Sequence, residues 1–249
     1  MGKSRAKNAK AERRFRGALS NEYALIRRAL PHCDDLQEGI RAAVAAYAGD
    51  HGPIRVLEIG CGNGVTSEAI LSAHTGLSLT ALDNEVRMVR QAVRRLKKPI
   101  AARRCQVLCM DALTHLRRLP ARSIDIVASA LTLHNMNRSY RDRVHRQIFR
   151  VLKPQGLFVN ADKLAPDDDG RRFFELGKAL AWFFKAFVPA GRYDLLEEWV
   201  LHNVADQGPD RVMKEKATIA SLKKIGFTPI RISARYNMEA VLHARKPAN

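Results

Sequence analysis

"RVLEIGCGNGVTSEAI", residues 55–70, decides how the rest of the chain is read. A run of apolar residues gives way to Gly60, Gly62 and Gly64 at alternate positions, then to a segment of helical texture over 65–74. Strand, glycine turn and helix is the arrangement in which a ligand lies on backbone amides at the carboxyl end of a parallel sheet. Two versions of that turn do not fit. The dinucleotide fingerprint G-x-G-x-x-G, in register with Gly60 and Gly62, needs a glycine where Val65 stands, and a P-loop needs a Gly-Lys-Ser/Thr that is absent. What remains is an acid followed by alternating glycines, Glu58, Gly60, Gly62 and Gly64, with Asn63 in the turn and a second acid, Asp83, ending the next apolar run. An acid at the end of the second strand can accept hydrogen bonds from both hydroxyls of a ribose, and one at the end of the first suits an ammonium group. Together they call for a nucleoside with a positively charged amino-acid tail.

The rhythm of the turn spreads outward. Strands are expected over 54–60, 77–83, 105–111, 123–133 and 156–163, several of them almost continuously apolar, as strands buried on both faces are. Between them, helical spacing covers 85–97 and 137–152, the second stopped by Pro154 and Gly156. A further helix over 214–225 ends at Gly226, and segments 227–234 and 237–246 read as two closing strands. The fold class is α/β: a Rossmann-like, doubly wound, mostly parallel seven-stranded sheet with helices on both faces. Residues 164–213 interrupt the pattern with helical texture and hold half of the aromatic side chains. They read as a helical cap, whose aromatics either pack extra helices onto the core or line a lid over a ligand. Ahead of the sheet, 19–48 spells two helices divided at Pro31, placed to cover the sheet's open edge, and 1–18 reads as a basic disordered tail. Residues 19–249 form one domain.

Composition limits the function classes. The 249 residues, 46% of them hydrophobic, can bury a full core, and no apolar run reaches the length of a membrane span. With no signal-peptide pattern either, a cytoplasmic protein is expected. Cys33, Cys61, Cys105 and Cys109 include no C-x-x-C pair and no His at zinc-ligand spacing, so no metal is expected. The net charge of +18 would attract nucleic acid or an acidic small substrate; the first twenty residues contribute seven basic side chains against Glu12 alone. A solvated basic face without a partner explains the charge equally well.

Five segments together resemble the class I S-adenosylmethionine-dependent methyltransferases. "VLEIGCGNG" is similar to the first motif of that family, "LTALDNEVRMVRQA" to the second, "CMDAL" to the third, "IDIVASALTLHN" to the fourth, and "RVLKPQGLFV" to the approach to strand five. The resemblance runs from about residue 54 to 160 and implies S-adenosyl-L-methionine as cofactor. It implies that Gly60, Gly62 and Gly64, with Asn63, lie against the methionine part and that Glu58 sits near its amino group. Asp83 would hold the ribose hydroxyls, with Asn84 and Met88 beside the adenine. Asp111 would accept from the adenine amino group, though Asp before "ALTHL" also suits a helix N-cap, and Ala112 would supply a backbone contact. Ser129 would face the sulfonium.

Methyl transfer from a sulfonium is an in-line displacement, so alignment and exclusion of water matter most, and a base is needed only for a protonated nucleophile. His134, just past strand four, is the expected catalytic base, with a loop-bonding histidine as the alternative; Asp162, Lys163 and His202 are weaker candidates. The segment "SALTLHN" lacks the Asn/Asp-Pro-Pro-aromatic turn of base-amine methyltransferases and the Pro-Cys of the cytosine-C5 type. It looks like the small-molecule members, with an acidic or aromatic acceptor enclosed by the cap. An RNA-modifying enzyme, favoured by the charge and by a faint likeness of "YALIRRALPHCDDL" to relatives that handle a modified cofactor for transfer RNA, is the second expectation, and a non-catalytic cofactor-binding module the third.

Overall fold

A computed structural model describes residues 29–49 and 53–248. The basic tail expected over 1–18 and most of the first helix expected before Pro31 lie outside the described residues. In chain order the elements are α1 (Cys33–Ala48), β1 (Ile54–Ile59), α2 (Val65–Ala73), β2 (Leu77–Asp83), α3 (Val86–Arg95), α4 (Lys97–Ala101), β3 (Cys105–Cys109), α5 (Ala112–Arg118) and β4 (Ile124–Ala130). There follow a short 3-10 turn (Leu133–Asn135), α6 (Arg138–Val151), β5 (Leu152–Lys163), α7 (Asp169–Phe187), α8 (Tyr193–Ala205), α9 (Glu215–Ile225), β6 (Ile230–Tyr236) and β7 (Glu239–Arg245).

The seven strands lie in the order β3-β2-β1-β4-β5-β7-β6. β1 to β5 are parallel, and β7 runs antiparallel to both of its neighbours. The chain winds outward from β1 to β3, then crosses back to β4 on the other side of β1. The carboxyl ends of β1 and β4 therefore open the crevice in which such sheets take ligands.

Alternation along the strands divides the core into two layers. Ile54 and Val56 of β1, with Leu79, Ala128, Val159 and Val241, face a layer closed by Leu36, Ile40 and Val44 of α1. Leu57 and Ile59, with Val127 and Phe158, face the opposite layer, closed by Val144 and Ile148 of α6 and Leu222 of α9.

Two boundaries depart from expectation. α1 lies across the face of β4, β5 and β7 rather than over the sheet's open edge. Its approach is close enough that a Cβ on Gly39 would meet Val241 Cγ2 at 2.7 Å. β5 begins at Leu152, directly after α6, because Leu152 already pairs with Ile124; Pro154 and Gly156 lie in the irregularity that follows, where the register passes to Ile126 and Leu157.

The expected cap is a pair of helices, α7 and α8. Phe183 and Phe187 pack with Leu195, Leu196 and Trp199 into a third cluster that also takes in Ala29. The two alternatives for the aromatics thus divide: these three rings hold the hairpin together, while Phe173, Phe174, Phe184 and Tyr193 remain more than half exposed. Trp182, 39% exposed, borders a pocket.

Candidate cofactor cleft

The glycine turn joins β1 to α2, and its three glycines do three different things. All have positive φ, +73° at Gly60, +52° at Gly62 and +88° at Gly64. A Cβ on Gly60 would press into Thr132, whose own Cβ would stand 2.7 Å away; a Cβ on Gly64 would lie 3.2 Å from Ala92 Cα of α3. Only at Gly62 would a side chain enter open space. Gly60 and Gly64 are thus hemmed in by the protein itself, whereas Gly62 leaves room above its backbone. Backbone bonds fix the turn: Gly60 N and Cys61 N both donate to Leu82 O at 2.8 Å, and Gly62 N donates to Asp83 Oδ2 at 2.9 Å.

A cleft of about 1160 Å³, counted out to its mouth, opens above this turn. Gly60, Gly62, Asn63, Asp83, Asn84, Met88, Asp111 and Ala112, all expected at the site, line it together. Asp83 Oδ1 accepts from Glu85 N at 2.9 Å, and the Asn84 N–H also lies against this carboxylate, which faces the cleft. Burial raises the Asp83 carboxyl above the ordinary range, outweighing those N–H donors. Asp111 is both cap and wall: its Oδ1 accepts from Thr114 N at 2.8 Å, and its Oδ2 accepts from Tyr140 Oη at 2.5 Å.

Four expected site residues do not line the cleft. Glu58 is fully buried beneath the turn, covered by the first turn of α2, where Ser67 Oγ donates to its Oε2 at 2.5 Å. Its Oε1 has no hydrogen-bond partner, and burial pushes its carboxyl up to about 8, with the Ser67 bond opposing and nearby Asp83 adding to the rise. Gly64 is turned toward α3, as described. Ser129, paired with Ile59 across the sheet, donates its hydroxyl to Ile59 O at 3.1 Å; the strand runs on, and Ala130, Leu131 and Thr132 form the wall where Ser129 was expected.

His134 is the fourth. It is buried behind the loop, with Nδ1 2.5 Å from Asp162 Oδ1 and Nε2 3.7 Å from Asp206 Oδ2 of the α8 C-terminus. Burial works to raise the Asp162 carboxyl, but the His134 ring and the N–H groups of Lys163 and Leu133 outweigh it and hold it below the ordinary range. Lys163 Nζ donates to Asn203 Oδ1 and Asp206 Oδ2, each at 2.7 Å. The three weaker candidates thus gather around His134, joining the sheet to the cap. One donor atom each from His134, His202 and Asp206 lies within 4.8 Å of the others, a metal-sized grouping that the cysteine count could not reveal. The cation already there is the Lys163 ammonium.

The sequence reading missed several wall residues. Gln37 reaches the cleft from α1, and its buried Oε1 has no hydrogen-bond partner among the described residues. Thr132 Oγ1 shares its proton between Ala130 O at 2.8 Å and Gly60 O at 3.1 Å, pinning the loop after β4 to the glycine turn. Leu131 holds φ at +45°, a strained backbone for a branched side chain, at the point where that loop meets the cleft.

The donor set fits a nucleoside with a cationic tail. Among the described residues Gln37 Oε1 is an unpaired acceptor, Asp83 faces the same cleft, Glu58 lies buried beneath the turn, and Gly62 leaves room for close approach. Comparisons with known proteins agree. Residues 56–156 match the family model described as a methyltransferase domain. The chain is 28% identical over 183 residues to the demethylmenaquinone methyltransferase of Thermotoga maritima, covering 74% of this chain and 73% of that one. It is 25% identical over 142 residues to the carboxy-S-adenosyl-L-methionine synthase of Pseudoalteromonas atlantica, spanning 56% of each. A S-adenosylmethionine-dependent methyltransferase structure from Aquifex aeolicus shares the fold, with a TM-score of 0.53 at 16% identity over 83% of this chain and 88% of that one. With the motifs in order, the sheet in this topology and a domain match across the cleft, residues 56–156 form a methyltransferase domain, and the chain is similar to the class I S-adenosylmethionine-dependent methyltransferases.

Proposed function

We propose that the chain binds S-adenosylmethionine in the cleft above β1 and β2 and moves its methyl group to a small-molecule acceptor. The observation that carries this is the floor of the cleft, where Gly62 leaves open space beside the Asp83 carboxylate. In this proposal the turn at Gly60 to Asn63 receives the amino-acid end, with Gln37 Oε1 accepting from its ammonium and Glu58 acting from beneath. Asp83 takes the ribose hydroxyls, and Asn84, Met88, Asp111 and Ala112 surround the adenine. The bound cofactor supplies a methyl carbon made electrophilic by its sulfonium. Leu131, Met136 and Thr132, on the wall beyond, keep water from that end of the cleft and fix the line of attack. His134 faces carboxylates rather than the cleft, so its part is to hold loop and cap together, not to take a proton from the acceptor.

A small acceptor is supported by the cap and by the partly open compartment beneath it, and the Thermotoga relative is named a demethylmenaquinone methyltransferase. The net charge of +18 keeps an RNA substrate as the second reading. Among the described residues no helix is long and apolar enough to cross a membrane. The test is titration calorimetry with S-adenosylmethionine and S-adenosylhomocysteine, followed by turnover of labelled methyl donor against metabolite extracts and against bulk transfer RNA. Heat with both nucleosides and label in the metabolite fraction supports the proposal; heat only with a nicotinamide or flavin compound refutes it.

A further inference from the structure

Next to the cofactor cleft lies a second, smaller and partly open compartment between the start of α1, the loop after β4, α7 and the β6–β7 turn. Cys33 and Leu131 line both spaces, so the two meet at those side chains. Its walls are apolar at Leu30, Leu36, Ala179 and Met238, with Trp182 along α7. Against that background stand two carboxylates, Glu175 and Glu239.

Neither has its charge well met. Glu239 begins β7 opposite Lys163 of β5, which would be its natural partner, but the Lys163 ammonium is turned to Asn203 and Asp206. Burial raises the Glu239 carboxyl above the ordinary range, with Lys163, its own backbone N–H, His32 and His134 opposing too weakly to reverse it. Glu175 is 8% exposed, and among the described residues its Oε2 accepts no hydrogen bond, its one ion-pair partner being the half-exposed Lys178 ammonium 3.0 Å away. His32, the histidine of the lining, is stacked on Tyr236 and bonded to Asp35 at 3.1 Å. Carboxylates facing an apolar cavity without a full partner are costly unless a cation joins them there.

We infer that this compartment takes the methyl acceptor, and that the acceptor is an apolar or aromatic compound carrying a protonated amine held by Glu239 and Glu175. The inference rests on the proposed cofactor cleft, since the compartment is an acceptor site only if the methyl donor lies next door. It reverses the acidic acceptor that the bulk charge of +18 suggests, because a buried carboxylate at Glu175 and a partly buried one at Glu239 repel an anion at close range, whereas the distant surface charges are screened. The apolar walls hold the body of the molecule and the carboxylates fix its orientation, the division of labour usual in small-molecule sites.

The experiment uses the full chain saturated with S-adenosylhomocysteine and three probes sharing one ring: phenethylamine, 2-phenylethanol and 3-phenylpropanoate. The amine is expected to bind at least about tenfold more tightly than either of the others, the scale of one charge-assisted contact. Glu239→Gln is expected to remove that preference while leaving S-adenosylhomocysteine affinity within about twofold, which also shows that the variant folds. Glu175→Gln provides the same test should Glu239→Gln fail to fold. Equal or tighter binding of the carboxylate, no binding of the amine, or an amine preference unchanged in both variants overturns the inference alone. Absence of S-adenosylhomocysteine binding to the wild-type chain overturns the proposed cofactor cleft, and the inference with it.

Discussion

Gly62→Ala separates the cofactor function of the turn from its structural function. The backbone there sits at φ +52°, a conformation that costs a residue with a Cβ about 1–2 kcal/mol, partly offset because alanine also stiffens the unfolded chain by about 0.4–1 kcal/mol. The added methyl meets nothing within 4 Å in the protein, so no packing penalty follows. A net loss of about 1 kcal/mol lowers the melting temperature of a chain of this size by about 2–4 °C. The same methyl stands where the cofactor must lie, and forcing an extra carbon into a filled site costs about 1–3 kcal/mol, or about 5- to 150-fold in Kd. Gly60→Ala makes the contrast, since its methyl would drive into Thr132 and the cost falls on folding itself. Thermal melts and calorimetry with S-adenosylhomocysteine on both variants measure the two effects. A Gly62→Ala protein that folds normally and binds this ligand as tightly as wild type would refute the claim that the space above residue 62 is the cofactor's.

Glu58 sets a pH dependence. Its folded carboxyl ionises at about 8, above its unfolded value, so the native state holds a proton that the unfolded state has released. Stability of the ligand-free protein should therefore fall as pH rises from about 4.5 through about 8; urea midpoints across this range should flatten in Glu58→Gln. His134→Ala leaves Asp162 and Asp206 buried with one partner fewer, and should destabilise the chain by about 3 kcal/mol in urea melts while S-adenosylhomocysteine affinity stays near wild type. Tyr140→Phe removes the 2.5 Å bond to Asp111 and should weaken cofactor binding by about tenfold or less, read by calorimetry. Retention of bulk transfer RNA should be lost by physiological salt if the basic surface is unspecific, and survive it if RNA is the substrate.

The strands were legible because residues buried on both faces leave a dense apolar signal, and the places of Asp83, Asp111 and Gly62 on the cleft wall because each sits at a strand end or turn, where position follows from local sequence. Glu58 and Ser129 lie on the expected strands but do not line the cleft. Whether a side chain near a strand end faces the cleft depends on what covers it: α2 places Ser67 over Glu58, and the ladder gives Ser129 the Ile59 carbonyl. Gln37 was invisible because nothing in α1 alone says that this helix lies across the sheet face instead of at its edge. The grouping of His134, Asp162, Lys163 and Asp206 comes from three segments far apart in the chain and appears only once the cap docks.

The most direct test of the account is a crystal structure of the chain with S-adenosylhomocysteine. It should place the ribose hydroxyls within hydrogen-bonding distance of Asp83, the backbone of Gly62 in contact with the ligand, and the sulfur turned toward Leu131 at the junction of the two compartments. A nucleoside bound anywhere else, or one in this cleft with its sugar away from Asp83, would contradict it.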